Sequence, residues 1–245
     1  MTRALVLRHH LEDTPGLVGE AFTNRGFALD VVLMNEATPT PSVRGYDALI
    51  ILGSKHAVYD DEIERAWFAR ELDVIGDADR RGVPVLGICF GAQALCRYHG
   101  GVVTPSSEPE IGWYEIEAVN GSAIAAGPWF EYHYDRCTLP EHAQLWARSQ
   151  RAVQAFAIGA NVGVQFHPEI DAAQLAQWFA AGVDDAREMG IDPDDLLAQT
   201  ERETPAARER TAALVDLFLA HVAGSSSSGP GRGPTVVPGA QHRSS

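Results

Sequence analysis

The 245-residue sequence predicts an α/β fold: a doubly wound, mostly parallel sheet flanked by helices, with an antiparallel or mixed strand extension. Three observations predict it. Between Ala4 and Cys89, short uninterrupted apolar runs of β-rich composition recur, the pattern of strands covered on both faces. Helix-patterned segments separate these runs, as the crossovers of a parallel sheet require. From Gly100 to His167, strand-like runs then follow one another with little helix between them.

The elements follow in order. Ala4–His9 (ALVLRH) and Ala28–Met34 (ALDVVLM) flank a segment of helical potential, Thr14–Gly26, which closes at Asn24-Arg25-Gly26 and completes a βαβ unit. A third apolar run, Ala48–Gly53, breaks at GSKHAVYDD. The helix pattern of Asp61–Gly82 then carries the chain to a fourth run, Pro84–Cys89. Parallel strands joined in this way bring their C-terminal ends to one edge, where doubly wound folds bind ligands. The middle runs are GGVVTP, GWYEIEAV, LWARS and VQAFAIGANVGVQFH. After His167 three helical segments follow, DAAQLAQWFAAGVDDAREMG, DPDDLLAQT and PAARERTAALVDLFLAHV. Residues 184 to 203 hold eight acids against Arg187 and Arg202, which reads as a solvated face. From Gly224 the chain is mostly Gly, Ser and Pro and cannot bury enough apolar surface to offset its ordering entropy. Residues 1–223 are therefore expected to form one domain and residues 224–245 a disordered tail.

Hydrophobic residues make up 45% of the chain and charged residues 21%, ordinary values for a globular protein. The net charge of -14 argues against a nucleic acid or an anionic membrane as the main partner. Lys55 is the only lysine. The opening MTRALVLRHH has too short an apolar run for a secretory signal, and no stretch reaches membrane-spanning length. Three cysteines without metal-like spacing read as reduced thiols, so a cytoplasmic location is expected and neither a metal nor a cofactor is called for.

Cys89 lies where an apolar strand turns abruptly into the helix-forming run FGAQALCRYHG. Such a corner projects a side chain out of the sheet, and the helix N-terminus beside it favours a thiolate. Gly87 and Gly91 leave room for the turn. A free cysteine also serves as a small buried hydrophobe, the reading given to Cys96 and Cys137. A nucleophilic cysteine needs a base, and the base an orienting group. His167 ends the strand VGVQFH, and Glu169 follows across Pro168, whose fixed φ favours an extended turn with both side chains on one side. A strand-ending histidine beside a surface glutamate is the plainer alternative for these residues in isolation.

GICFGAQ (Gly87–Gln93) together with QFHPE (Gln165–Glu169) resembles the signature pair of class I glutamine amidotransferases, the Cys-His-Glu type, and the likeness extends from residue 4 to about 220. The N-terminal segment is similar to GMP synthase-like glutaminase domains, ILGSKHAVYDD resembles the oxyanion loop, and EIGWYEI with YHYDRCTLPEHAQLWARS resembles the middle strands. The resemblance implies a flavodoxin-like fold with Cys89 as nucleophile, His167 as acid and base, and Glu169 as its orienter. It further implies an oxyanion hole from the Gly53 and Phe90 N–H groups, and glutamine contacts from Gln93 and the strand Tyr132, His133, Tyr134, Asp135. For Gln93 and this strand, an internal hydrogen bond and sheet packing are the alternatives. Four positions depart from the family: Ala92 replaces a frequent histidine, Ser54-Lys55 a small residue and proline, and Tyr134 a frequent glycine. None is a triad position.

The implied reaction hydrolyses the glutamine side-chain amide through a γ-glutamyl thioester. No P-loop or other synthetase segment is visible between residues 1 and 223, so a synthetase or acceptor-activating protein acting in trans is the expected partner for the ammonia. A stand-alone γ-glutamyl hydrolase or peptidase with the same triad, and a non-catalytic regulatory module on this fold, are the competing readings.

Overall fold

A computed structural model describes residues 1–180, 187 and 190–226. Its main sheet has eight strands. Five run parallel in the order β2 (Phe27–Leu33), β1 (Thr2–Arg8), β3 (Ala48–Ile51), β4 (Val85–Ile88), β10 (Asn161–Val164). Three more continue it antiparallel: β9 (Val153–Ile158), β8 (Gln144–Arg148) and the two-residue β6 (Glu117–Ala118).

Why the parallel strands are apolar throughout is visible in their two-residue alternation. Ala4 and Val6 of β1, Ala48 and Ile50 of β3, and Leu86 and Ile88 of β4 enter one core. Leu5, Leu7, Leu49, Ile51 and Val85 enter the other. Helix α1 (Gly16–Thr23) closes the first core with Val18 and Phe22, beside Leu214, Val215 and Phe218 of the C-terminal helix (Pro193–Ser226). The second is closed by Val74, Ile75 and Ala78 of α3 (Ala69–Arg81) and Phe90, Ala94 and Leu95 of α4 (Phe90–Tyr98). Each such Val, Leu, Ile or Phe contributes about 1.5–3 kcal/mol by leaving water.

The strand extension departs from expectation in one respect. The long strands β5 (Val102–Glu115) and β7 (Pro128–Thr138) do not join the main sheet but pair as a separate antiparallel ribbon, with a register shift between Pro105 and Glu110. A third core, Ile111, Phe130, Ile170, Leu175 and Leu196, packs this ribbon against α5 (Ala172–Ala180) and the C-terminal helix.

The helices differ from expectation at two places. The segment expected as one helix from Asp61 begins with the short α2 (Asp61–Ile63), capped by the Asp60 side chain, and passes through a π-helical turn (Glu64–Phe68) before α3. The last two helical segments are one helix that continues through Pro205. Pro205 and Glu201 are exposed, so water can satisfy the Glu201 carbonyl that a proline four residues on leaves without a donor. This helix runs through Ser226, three residues into the tail expected from Gly224. The rest of that tail lies outside the described residues, as does most of the acidic segment at 181–189. Among the described residues no helix is long and apolar enough to cross a membrane.

Candidate active site

The parallel strands β1, β3, β4 and β10 deliver His9, Gly53, Cys89 and His167 just past their C-terminal ends. Cys89 sits between β4 and α4 with φ 51° and ψ −104°, one of two non-glycine residues with positive φ among the described residues. The strained corner holds because its neighbours are glycines. A Cβ on Gly87 would lie 2.5 Å from the Gly91 carbonyl oxygen, and one on Gly91 would lie 2.3 Å from that of Ile51. The Cys89 N–H donates to Val164 O at 2.8 Å, tying the corner to β10. Cys89 is 5% exposed, and its Sγ receives the Gln165 Nε2–H at 3.6 Å.

His167 lies 78 positions further on, three residues beyond β10. Its N–H donates to Phe130 O of β7 at 2.7 Å, and its Nδ1 meets Glu169 Oε1 at 2.7 Å. Cys89 lies beside the imidazole, the two side chains flanking Gly53. The turn holding this arrangement is anchored from two helices: Thr211 Oγ1 of the C-terminal helix donates to Pro168 O at 2.7 Å, and Leu17 N of α1 donates to Glu169 O at 2.9 Å. Burial opposes charge on His167, but the negative charges of Glu169 and Cys89 outweigh it and raise its pKa well above the usual value.

Gly53 borders both groups, since a Cβ there would lie 2.8 Å from His167 Cε1 and 3.7 Å from Cys89 Cβ. Phe90 opens α4, so its N–H is among those a helix leaves without an intrahelical acceptor. The triad and the two expected oxyanion residues are thus brought together. All five of the other expected contacts border the same cavity, of about 570 Å³. Their side chains are differently engaged. Gln93 donates from Nε2 to Gln165 Oε1 at 3.3 Å, the internal hydrogen bond named as its alternative. Tyr132 contributes its carbonyl, 3.9 Å from Cys89 Sγ. Asp135 accepts the Tyr59 hydroxyl at 2.7 Å, which helps raise the Tyr59 pKa, after burial, to about 12. Tyr134 is partly exposed at the rim.

His133 departs most from a simple substrate contact. Its imidazole is 3% exposed, with Nε2 3.2 Å from Glu110 and 3.3 Å from Glu131, and Nδ1 2.9 Å from Asp135 O. Burial disfavours its charge, but these carboxylates overcome that and push the pKa up to about 10. Burial likewise pushes Glu131 up to about 7. Cys96 and Cys137 are buried, as expected of packing residues.

Several residues of the site carry no role in the sequence reading. Gln165, just beyond β10, donates to Cys89 Sγ and accepts from Gln93, and its place in the QFHPE run was its only signal. Trp178 of α5 stacks edge-on against His167 at 5.2 Å between centroids, and only tertiary packing brings it there. His9 and Asp13, also bordering the cavity, follow the first strand with no local motif.

The model of the family described as "Glutamine amidotransferase class-I" matches residues 17–181. A glutamine-hydrolyzing GMP synthase subunit from Sulfurisphaera tokodaii is 30% identical over 155 residues, covering 58% of this chain and 77% of that protein. A glutamine-hydrolyzing GMP synthase of Rhodopseudomonas palustris is 29% identical over 68% of this chain, but the match spans only 33% of that longer protein. Among solved structures, a glutamine amidotransferase from Thermotoga maritima superimposes with a TM-score of 0.80 at 26% identity, covering 89% of this chain and 98% of that one. The fold, the mostly parallel sheet and these matches agree: the chain belongs to the class I glutamine amidotransferases, enzymes that hydrolyse the side-chain amide of glutamine.

Proposed function

We propose that Cys89, His167 and Glu169 form the catalytic triad and that the chain supplies ammonia from glutamine to a separate acceptor enzyme. The observation that carries this reading is the buried His167, joined to Glu169 at 2.7 Å and set beside Cys89 across Gly53. The Cys89 thiolate attacks the side-chain carboxamide carbon. The resulting oxyanion is stabilised by the backbone N–H groups of Gly53 and Phe90, donors each worth roughly 3 kcal/mol in such sites. His167, held by Glu169, gives its proton to the departing ammonia, leaving a γ-glutamyl thioester on Cys89. The neutral imidazole then takes a proton from water, the hydroxide displaces the thiolate, and glutamate leaves. Gln93 and the Tyr132–Asp135 strand border the glutamine, Tyr132 and its neighbours chiefly through backbone.

Two of the matched relatives are GMP synthases, one of them described as a single subunit, which supports a synthetase partner in trans for this chain. Three free cysteines accord with a cytoplasmic setting. The cavity of about 570 Å³ exceeds what one glutamine fills, which favours a second reading, hydrolysis of larger γ-glutamyl amides. The test is ammonia release from free glutamine, with and without candidate synthetases, beside turnover of γ-glutamyl peptides. Wild-type protein should release ammonia, and Cys89→Ala should lower the rate by at least about 1,000-fold. Equal ammonia release by Cys89→Ala would sink the proposal, and turnover of γ-glutamyl peptides alone would select the second reading.

A further inference from the structure

His9 belongs to no part of the triad, yet its side chain is only 2% exposed and both of its ring nitrogens are committed. Nδ1 lies 2.7 Å from Gly53 O and Nε2 2.8 Å from Glu71 Oε2. A carbonyl oxygen can only accept, so Nδ1 carries a proton, while Nε2 shares a hydrogen bond with the Glu71 carboxyl group. Burial opposes a charge on the ring, and Glu71, with smaller contributions from the Gly53 carbonyl and Asp13, outweighs it and raises the pKa. Glu71 needs the partner in turn: it is fully buried, and its Oε1 makes no hydrogen bond.

The ring also touches the other side of the site. It packs between Trp67 and Phe90, with centroids at 4.8 and 4.9 Å. Trp67 belongs to the π-helical turn directly before α3, which carries Glu71. Gly53 has no side chain to restrict its backbone, so the direction of its peptide must be set from outside. His9 is the group that holds its carbonyl.

We propose that His9, oriented by Glu71, is a positioning residue for the oxyanion site, holding Gly53 by its carbonyl so that the same residue's N–H, on the adjoining peptide, keeps its direction, and holding Phe90 through ring packing. This rests on the catalytic reading above. It assigns a buried histidine–glutamate pair outside the triad to stabilisation of the charge that develops on the substrate oxygen.

The test compares two variants. In His9→Phe with Glu71→Met the pair is replaced by apolar side chains that keep the packing but cannot hold the carbonyl; Glu71→Gln keeps His9 as the donor. The double variant should lose about 10- to 100-fold in kcat on glutamine with KM within about threefold. Its affinity for the γ-aldehyde analogue of glutamine should fall by a similar factor. That aldehyde adds the Cys89 sulfur to its carbonyl carbon and places the resulting oxygen in the oxyanion site. Alkylation of Cys89 by iodoacetamide, which forms no such oxygen, should stay within about twofold of wild type, and Glu71→Gln should lose less than about threefold in kcat. Unchanged aldehyde affinity in the double variant would overturn the inference. So would an equal fall in alkylation rate, which would mark a disordered corner. If the double variant fails to fold, His9→Phe with Glu71→Gln decides: unchanged aldehyde affinity, or a loss of kcat without a matching loss of that affinity, overturns the proposal. Wild-type protein that neither releases ammonia nor binds the aldehyde would instead overturn the functional reading, and this inference with it.

Discussion

At Cys89 the backbone adopts a conformation that a side chain ordinarily avoids, and two glycines make room for it. Gly91 is the more constrained, because its absent Cβ would sit 2.3 Å from a backbone oxygen of β3 that cannot move without shifting the sheet. Gly91→Ala should therefore destabilise the fold by about 1–3 kcal/mol, read from urea unfolding, and reduce glutamine hydrolysis even in the folded fraction. A variant as stable and as active as wild type would refute the close approach. At this scale the meeting of Cys89, His167 and Glu169, the proposed triad, was legible in the sequence, because Cys89 and the His167-Pro168-Glu169 turn each carry a local signature at a strand end. His133 was only half legible. Its place on the pocket strand was readable, but of the two glutamates beside its ring only Glu131 lies on the same strand, while Glu110 comes from the paired position on β5 that no motif marks. Trp178 and His9 left no local trace, since what brings them to the site is tertiary packing, Trp178 against the His167 ring and His9 against the Gly53 carbonyl.

Among the elements, the C-terminal helix carries more than its amphipathic pattern announces. It closes one core through Leu214, Val215 and Phe218, and through Thr211 it grips the turn that holds His167 and Glu169. Pro205 lies within it, on the solvent side. Pro205→Ala restores an N–H for the Glu201 carbonyl and should raise stability by about 1–3 kcal/mol, less the entropy that proline removes from the unfolded chain. Chemical denaturation measures this, and a lower midpoint would show that the proline bend is needed for docking. The sequence marked a break here because proline ordinarily ends a helix; tertiary packing on both sides of Pro205 overrides that preference. The first four parallel strands were legible to within two residues at each end, since their centres are apolar runs, most of them buried on both faces; β10 was not separated from β9, because the turn between them is short. The ribbon of β5 and β7 was not, because strand-like runs say nothing of which sheet receives them.

Over the whole molecule, several buried groups hold protons more tightly than they would in the unfolded chain. His133, raised to about 10, and His9 and His167, both raised, bind protons more strongly when folded, as does Glu131, raised to about 7. A group with a raised folded pKa contributes its full stabilisation below its unfolded pKa and loses it as pH rises through the folded value. Glu131 loses its contribution between about pH 4.5 and 7, and His133 between about 6.5 and 10. Stability from these groups should accordingly fall as pH rises through that range, measured as the denaturation midpoint at stepped pH. Substituting His133 by Gln together with Glu131 by Gln should flatten the alkaline part of the curve, and an unchanged slope would remove the network from the account. The pairing of β4 with β10 has a further consequence, for the making of the protein. A chain synthesised from its N-terminus presents the Cys89 thiol long before residue 167 exists, and Thr211 emerges later still. With the proposed triad, Cys89 thus leaves the ribosome without its base, and the site is complete only when the helix Pro193–Ser226 has been made and docked.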